Sequence, residues 1–584
     1  MAERVDDLWI SDGMDLTQCS YEQMYQRFRW RIPALYNIGV SACDRHAAIH
    51  PNHPAILYDR GDGNHETWTF SDLRDASNRL ANALEGLGCK RGDRVAILLS
   101  QCPQVPVAHL AVYKMGGIAV PLFTLFGTDA LQYRLSDSGA RVLITDLANA
   151  ERLRDLWPEL PDLTHIVIVD DAGASSGEPQ YHSVHVRAGK ASLVGYERAY
   201  LHWNDLLLAS SPTYTPAQTT SDDPAIIIYT SGTTGPAKGA LHGHRILLGH
   251  LPGVSLPHEF APQQGDLFWT PADWAWIGGL FDVLFPALHW GVPVLARRMR
   301  KFDPELAFSL MERWSVRNVF LPPTSLKMMR QISNPQERWR LQLRTVASGG
   351  EPLGQETLDW GRTTLGKEIH EFYGQTECNL VLSNNAKLFA PRPNSMGRPV
   401  PGHRIAVIDE RGEEVGPGEL GEVAVRRPDP AMFLSYWNRP EQTAVKFVGD
   451  WMRTGDLGRV DSDGYFYFVG RTDDVILSAG YRIGPAEVEE AVIKHPSVLM
   501  SAAVASPDPL RGEIVKLFVQ LRPGWDATPA LAREIQDWVK TRVGAHEYPR
   551  EIEFVDSFPM TPSGKIQRHV LKRREYQRKG VPWR

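Results

Sequence analysis

Residues 226–239 read Ile226-Ile227-Ile228-Tyr229-Thr230-Ser231-Gly232-Thr233-Thr234-Gly235-Pro236-Ala237-Lys238-Gly239. The run of β-branched isoleucines predicts a buried strand that enters a loop dense in hydroxyls and glycine. Glycine lets the backbone turn sharply and bring its N–H groups close to an anion. The hydroxyls and Lys238 add donors suited to phosphate. The stretch therefore predicts a nucleotide-phosphate loop. It is not a Walker loop, because no Ser or Thr follows Lys238 and the glycine spacing differs. A plain Gly/Thr surface turn is the competing reading, and the density of donors in one stretch weighs against it.

On either side the chain alternates helix and strand. From Thr69 onward, Leu73, Ala76, Leu80, Ala83 and Leu87 recur on one helical face, with Ser71 as the expected cap and Gly88 and Gly92 as stops. Residues 95–99 (VAILL) then read as a buried strand. VAHLAVYKMGG precedes VPL, ALQYRLSDSGA precedes RVLITD, and a further helix precedes HIVIVD. This order predicts an α/β fold whose sheets are mostly parallel and covered by helices. Residues 171–199 lack periodicity and read as a surface loop.

Beyond the loop, TPADWAWIGGLFDVLFPALHWG either lines a pocket or fills a core. A helix is expected over 304–314 and strands over 318–321 and 344–347. The last strand ends at Ser348-Gly349-Gly350-Glu351-Pro352, the kind of carboxyl edge at which α/β sheets bind ligands. After Gly397 short strands alternate with turns at 410–412, 416–418 and 463–464. Residues 416–421 match G-x-G-x-x-G, but they carry a proline, join two β-type segments and open no helix, so they are no dinucleotide fingerprint. A small α+β unit follows from about 474, with helices over 485–494 and 529–543 and strands over 498–505 and 515–521. The basic tail HVLKRREYQRKG reads as a solvated helix face.

Composition narrows the function classes. The chain has 584 residues, 43% hydrophobic and 23% charged, which is ordinary for a globular protein. A net charge of -6 offers no footprint for nucleic acid. Five cysteines without a C-x-x-C pair argue against a disulfide framework or zinc site and fit a reducing cytoplasm. The acidic N-terminus lacks the apolar core of a secretory signal, and no apolar run approaches membrane-spanning length.

YTSGTTGPAKG resembles the signature loop of the AMP-forming acyl-adenylate superfamily, and within it the chain is most similar to medium-chain acyl-CoA synthetases. FRWRIPALYNIGVSACDRHA resembles their N-terminal segment, expected to be an extended arm packing aromatics on the core. The resemblance implies a large N-terminal domain over 1–472, with a distorted β-barrel subdomain, and a small mobile α+β domain over 473–584. It also implies ATP and coenzyme A as co-substrates, magnesium, and a small carboxylic acid as the partner activated.

Further motifs carry the resemblance in order. Glu371-Phe372-Tyr373-Gly374-Gln375-Thr376-Glu377 is similar to the second nucleotide motif. There the aromatic stacks on adenine, the Thr hydroxyl meets the α-phosphate and the last acid, Glu377, holds magnesium. Oxygen ligands suit that ion. Gly350, Glu351 and Pro352 match the adenine-side strand end. Arg453-Thr454-Gly455-Asp456 matches the ribose motif, with Asp456 accepting from the hydroxyls. In Gly470-Arg471-Thr472-Asp473-Asp474, Arg471 matches a nucleotide-contacting arginine and Asp473 the interdomain hinge. Ala479-Gly480-Tyr481-Arg482 resembles the loop that meets coenzyme A, with Arg482 reaching the phosphates, and Arg511 matches a contact to the coenzyme's nucleotide. Within Pro559-Met560-Thr561-Pro562-Ser563-Gly564-Lys565, Lys565 matches the catalytic lysine that bridges the carboxylate and the α-phosphate.

The resemblance also bears on substrate and control. Acetyl-CoA synthetases carry a pocket-closing tryptophan at the position of Gly374, so an indole's volume is expected to be open there. Trp276, Ile277, Gly278 and Gly349 match the facing wall. Acids of about four to eight carbons, branched or aromatic included, are then expected, since each buried methylene contributes roughly 0.8 kcal/mol. Trp274 or Trp276 filling that space is the alternative. Family members are switched off by lysine acetylation at this C-terminal stretch, which implies an acetyltransferase and a deacetylase acting on Lys565. Other readings are an acetyl-, propionyl- or aromatic-acid ligase, an adenylating enzyme with a carrier-protein acceptor, and a nucleotide-binding regulator without turnover.

Overall fold

The computed structural model describes residues 19–169, 200–230, 237–299, 301–472, 474, 476–478, 481–509, 511–542, 548–561 and 565–582, with backbone only for a few near 477–487. Ser231, Gly232, Thr233, Thr234, Gly235 and Pro236, the loop over 171–199, the hinge Asp473, and Ala479 and Gly480 lie outside the described residues. So do the side chains of Tyr481 and Arg482.

Helix–strand alternation builds two large sheets. The first, of eight strands, places Pro224–Thr230 beside Ile118–Pro121, Arg94–Leu98, Val142–Thr145 and His165–Ile168. Neighbours from Ile118 onward pair in parallel, as the apolar runs of these strands require, since both faces are covered by helices. Pro224–Thr230 turns back antiparallel as Lys238–Gly243, with Thr230 opposite Lys238. The isoleucines Ile226, Ile227 and Ile228 are buried, so a core strand delivers the phosphate loop.

The second sheet has fourteen strands. Its parallel centre includes Asn318–Phe320, Thr345–Gly349 and Ile369–Gln375. It continues through antiparallel Cys378–Ser383, Ser395–Pro399, Phe466–Arg471, Trp451–Val460, Gly421–Arg426 and Ile405–Ile408. The strands expected to form a distorted barrel are thus hydrogen-bonded in an open path from the parallel centre, because Ser395–Pro399 pairs on both sides. The third sheet, of five strands, belongs to the C-terminal unit; helices Pro485–Ile493 and Pro529–Arg542 pack over Ile476 and Val515 in one small core, and Leu571 of helix Arg568–Arg578 packs with Val504 and Phe518 in another.

Local chemistry corrects three expectations. The helix Phe70–Gly86 is capped by Thr69 rather than Ser71. Thr69 has extended backbone and exchanges hydrogen bonds with Asp72 in a capping box, while Ser71 already lies in the first turn. The N-terminal arm is partly helical, Tyr21–Arg27, and it packs as expected: Tyr21 donates to the Pro399 carbonyl at 2.7 Å and Trp30 to Gly402 at 2.7 Å. The basic tail forms helix Arg568–Arg578, yet it is not simply a solvated face. Glu575 is fully buried and accepts from Lys516 at 2.8 Å, because a buried charge needs a partner.

The apolar segment after Trp276 is one helix in three parts: Ile277–Gly279, a π-helical turn Leu280–Leu284, and Phe285–Trp290. Most of it fills the core, and Trp276 alone among its tryptophans near the start is half-buried while Trp274 is 1% exposed. Among the described residues, no helix is long and apolar enough to cross a membrane.

Candidate active site

Three strand ends and one turn converge. Thr345–Gly349 ends at Gly350, whose φ of +99° is open chiefly to glycine. The neighbouring strand Ile369–Gln375 carries Glu371, Phe372, Tyr373, Gly374 and Gln375 to the same edge. Trp451–Val460 and Phe466–Arg471 run beside each other with Asp456 opposite Arg471. The turn that ends in Lys565 completes the set.

Asp456 is 6% exposed and is held from two sides. The Tyr373 hydroxyl donates to its Oδ2 at 2.5 Å and the Arg471 guanidinium lies 3.2 Å from its Oδ1. Burial pushes this carboxyl above the usual carboxylate range, and the Arg471 charge, the Tyr373 bond, Lys446 and Lys565 pull it back. The acceptors left over suit a diol. Burial pushes the Glu371 carboxyl up to about 8, against a backbone hydrogen bond at Leu353 and the charge of Lys327, which pull it down.

Lys565 is set by its own turn. Its N–H donates to Thr561 Oγ1 at 3.0 Å, its carbonyl accepts from Thr561 N–H at 2.7 Å, and Met560 bridges to Ile566. The Nζ atom reaches 3.5 Å from where a Cβ would stand at Gly350 and 5.7 Å from the centre of the Trp276 ring. Burial lowers its pKa, opposed by the charges of Glu351 and Asp456. A cation from the C-terminal unit thus stands over the edge of the large sheet.

Glu377 follows Thr376 in the bend between strands. It is 8% exposed, and its carboxylate accepts a short hydrogen bond from the Tyr436 hydroxyl. Lys238 Nζ lies 5.2 Å over the ring of Tyr436, which brings the end of the phosphate loop to the acid. His242 Nε2 donates to the Thr376 carbonyl at 2.8 Å, the tautomer its neutral ring must take to serve that acceptor. Thr230 Oγ1 donates to Lys238 O at 3.3 Å, and the Ala237 carbonyl accepts from Tyr133 at 2.9 Å, so the loop's two ends are clasped.

Lys446 escaped the sequence reading. Its ammonium donates to Gln375 Oε1 at 3.2 Å, Arg453 O at 3.0 Å and Thr454 O at 3.3 Å, tying the bend after Gln375 to the 453–456 segment. Tyr436 was missed as well. Tyr436 lies within Ser435-Tyr436-Trp437-Asn438-Arg439-Pro440, an aromatic–polar cluster with a proline that could have signalled it, and Lys446 follows that stretch by six residues with no motif of its own.

The wall residues require a correction. A Cβ on Gly374 would fall 2.4 Å from Leu380 N and 2.6 Å from Asn379 Oδ1. The strand Cys378–Ser383 returns tightly, with an irregularity between Tyr373 and Gln375, and occupies that space. Gly374 therefore leaves no indole's volume open. Gly278 and Gly349 make room for aromatics: their Cβ atoms would stand 2.9 Å from the Trp276 ring and 2.4 Å from the Phe372 ring. Trp276 lies 5.9 Å from Phe320, and Phe320 lies 5.2 Å from Phe372. Ile277 is buried beside them. Neither Trp274 nor Trp276 is among the nearest atoms a Cβ at Gly374 would meet, so the alternative of a tryptophan filling that space is not what closes it; Trp276 packs against Gly278 instead.

On the small domain, strand Tyr481–Ile483 pairs with Ile476–Ser478, and Ser478 lies opposite Gly512. Arg511 is exposed at the tip of the adjoining hairpin, where its N–H donates to Asp508. These backbone pairings bring Ser478, Tyr481 and Gly512, next to Arg511, to one edge.

Comparison with known proteins gives the same outline. A model of the AMP-binding enzyme family matches residues 43–437, and one of the AMP-binding enzyme C-terminal domain matches 487–565. Acetyl-coenzyme A synthetase of Bacillus subtilis is 33% identical over 95% of this chain and 94% of its own length. Acyl-coenzyme A synthetase ACSM3, mitochondrial, of Mus musculus is 32% identical over 95% and 93%. Among solved structures, the anthranilate CoA ligase AuaEII in complex with anthranoyl-AMP superposes with a TM-score of 0.82 at 28% identity, covering 94% of this chain and 99% of that one. The acyl-CoA synthetase of Brucella canis gives 0.71 at 34%, covering 96% and 99%.

Proposed function

The chain belongs to the AMP-binding enzyme family and is an AMP-forming acyl-CoA synthetase, and on that premise we propose that it activates an apolar carboxylic acid in two half-reactions at the site described. A carboxylate is a poor acyl donor because oxide does not leave. In the first half-reaction the carboxylate oxygen attacks the α-phosphorus of ATP, the bond to the β-phosphate breaks, and pyrophosphate departs. In the second, the thiol of coenzyme A attacks the acyl carbon, loses its proton, and AMP departs.

Lys565 carries the reading. Its ammonium stands at the strand edge beside Gly350 and Trp276, where the carboxylate and the α-phosphate would meet, and it would offset charge that develops there, with the Thr376 hydroxyl as the second proposed donor. Asp456, held by Tyr373 and Arg471, accepts from the ribose hydroxyls. The 230–238 loop, with Lys238, receives the outer phosphates. Gly350, Glu351, Pro352, Glu371 and Phe372 border the adenine side.

Glu377 suits magnesium, since it offers a nearly buried carboxylate whose one hydrogen-bond donor among the described residues is the Tyr436 hydroxyl. Among the described residues no group of three or more His, Cys, Asp and Glu could hold a metal ion, so the ion would have to take its remaining ligands from phosphate and water. When bound, magnesium would neutralise charge on the departing pyrophosphate.

The edge that carries 478–481 and Arg511 is the proposed face for coenzyme A. Residues 1–472 and 473–584 are the proposed domains, turning about Asp473, because Lys565 occupies the ground the thiol must later approach. For the acid, the aromatic wall of Trp276, Phe320 and Phe372 favours branched-chain, medium-chain or aromatic bodies over acetate. Release of pyrophosphate on a panel of acids, with and without coenzyme A, tests the whole reading. Product formation must need both acid and coenzyme; turnover that needs neither would overturn it.

A further inference from the structure

Helix Thr128–Ser138 lies beside the two ends of the 230–238 loop and presents Tyr133 and Asp137 to them, one turn apart. The Asp137 side chain is 9% exposed and takes donors from two separate segments. The Tyr229 hydroxyl donates to its Oδ2 at 2.8 Å, where strand Pro224–Thr230 enters the loop. Arg439 donates to its Oδ1 at 2.6 Å, and the Trp437 indole donates to its main-chain carbonyl at 3.1 Å. Tyr133 holds the far end of the loop: it donates to the Ala237 carbonyl at 2.9 Å and accepts from Arg439 at 3.4 Å. Burial, and after it the Asp137 charge, raise the Tyr229 pKa, so that hydroxyl stays a donor.

The same contacts reach the acid proposed for magnesium. The Trp437 N–H donates to the Gly239 carbonyl at 2.7 Å, and Ser435 and Tyr436 pair antiparallel with Leu241 and Ala240. Tyr436 in turn donates to the Glu377 carboxylate. Asp137 thus stands where the start of the loop, its end and the strand that steadies Glu377 meet. Taking a carboxylate out of water costs more than apolar packing would. What a charged hub adds is direction, because each of its bonds fixes an angle as well as a distance.

We propose that Asp137 is a positioning residue for adenylation: acting through Tyr229, Tyr133 and Arg439, it aims the loop at the outer phosphates of ATP and holds Tyr436, and with it Glu377, where magnesium would bind. The proposal rests on the acyl-CoA synthetase reading of the site. The outer phosphates serve the first half-reaction alone, since pyrophosphate has left before coenzyme A attacks. A positioning defect therefore falls on adenylation, whereas a purely structural defect falls on both half-reactions.

The full-length protein is assayed with the best of hexanoate, 2-methylbutanoate and benzoate as the acid, and with the adenylate of that acid supplied for the second step. Asp137→Asn keeps the shape of the side chain and loses its charge. It is expected to raise KM for magnesium-ATP about tenfold and to slow adenylation roughly ten- to a hundredfold, because small misplacements at a reacting centre cost that much. KM for the acid and thioester formation from supplied adenylate should stay within about twofold of wild type, since neither draws on the outer phosphates. Arg439→Gln should reproduce the defect and Arg439→Lys should recover most of it. The Asp137→Asn, Arg439→Gln double variant should be no worse than the poorer single one, as two members of one contact behave. If Asp137→Asn does not fold, the Arg439 pair of variants decides by the same comparison. Equal losses in both half-reactions, or unchanged adenylation in a folded variant, overturn the proposal and leave the synthetase reading standing. Failure of the wild type to turn over any of the acids in a coenzyme-dependent way overturns both.

Discussion

Lys565 and Trp276 come from opposite parts of the chain, yet the ammonium of one lies 5.7 Å from the ring centre of the other. The tryptophan opens the helix that walls the acid cleft, and the lysine closes a turn of the small domain. Under the proposed function, that proximity puts the lysine of the C-terminal unit at the mouth of the acid cleft, where adenylation would need it.

Replacing Lys565 by alanine is expected to lower the adenylation rate by roughly a hundred- to a thousandfold, the usual cost of one positioned charge-stabilising donor. Thioester formation from supplied acyl-adenylate should survive. Single-turnover assays of each half-reaction make the comparison, and equal losses in both would remove the lysine from its role. Acetylation of Lys565 should act as the alanine does, because it removes the charge.

Asp473→Pro is expected to spare adenylation and block thioester formation. Proline fixes φ near the proposed pivot and opposes the swing between half-reactions. Normal overall turnover by this variant would place the pivot elsewhere.

Tyr373→Phe removes the donor that steadies Asp456. A hydrogen bond to a charged group contributes about 1.5–3 kcal/mol, so KM for ATP should rise about tenfold or more, with a smaller change in kcat. An unchanged KM would show that Arg471 alone positions the carboxylate.

Gly374→Ala should destabilise the protein by about 1–3 kcal/mol, as overpacking does, because its Cβ would fall 2.4 Å from the Leu380 nitrogen. Urea unfolding measures it. A variant as stable as wild type, with a changed chain-length profile, would return the residue to the role of pocket gate.

Stability should fall on mild acidification. Burial lowers the pKa of His242 and His244 to about 4 and that of His250 to about 3. Below about 6.5 the unfolded chain takes up these protons while the folded chain does not, so stability present above 6.5 is lost as pH falls toward 4. Each histidine contributes a slope of up to roughly 1.4 kcal/mol per pH unit. Melting temperatures at pH 7.5, 6 and 5 should drop progressively, and His250→Gln should soften the drop. A flat profile would contradict neutral burial.

Much of the fold was legible because its signals are local. Ile226, Ile227 and Ile228 announce a core strand from their chemistry alone, and helix spacing from Leu73 to Ala83 marks its buried face. The converging residues Tyr373, Asp456 and Lys565 were legible through motifs in order. Lys446 was not, since its acceptors are two main-chain carbonyls and one amide, which no spacing encodes. Gly374 was misjudged because an absent side chain says nothing about which neighbour fills the gap; only the return path of Cys378–Ser383 decides that. Ser71 and Thr69 are both plausible caps in sequence, and backbone geometry chose between them.

The buried pairing of Lys516 with Glu575 also bears on Lys565. The helix Arg568–Arg578 begins just after that lysine and is bolted to the small sheet through Glu575, while Arg568 grips Glu489 on the helix Pro485–Ile493. Under the swing proposed above, Lys565 would have no private motion: it would ride at the end of a rigid lever, and its arrival and departure would be single strokes of the whole C-terminal unit. Loosening the bolt, as Glu575→Gln would, ought to blur those strokes and slow the handover between half-reactions.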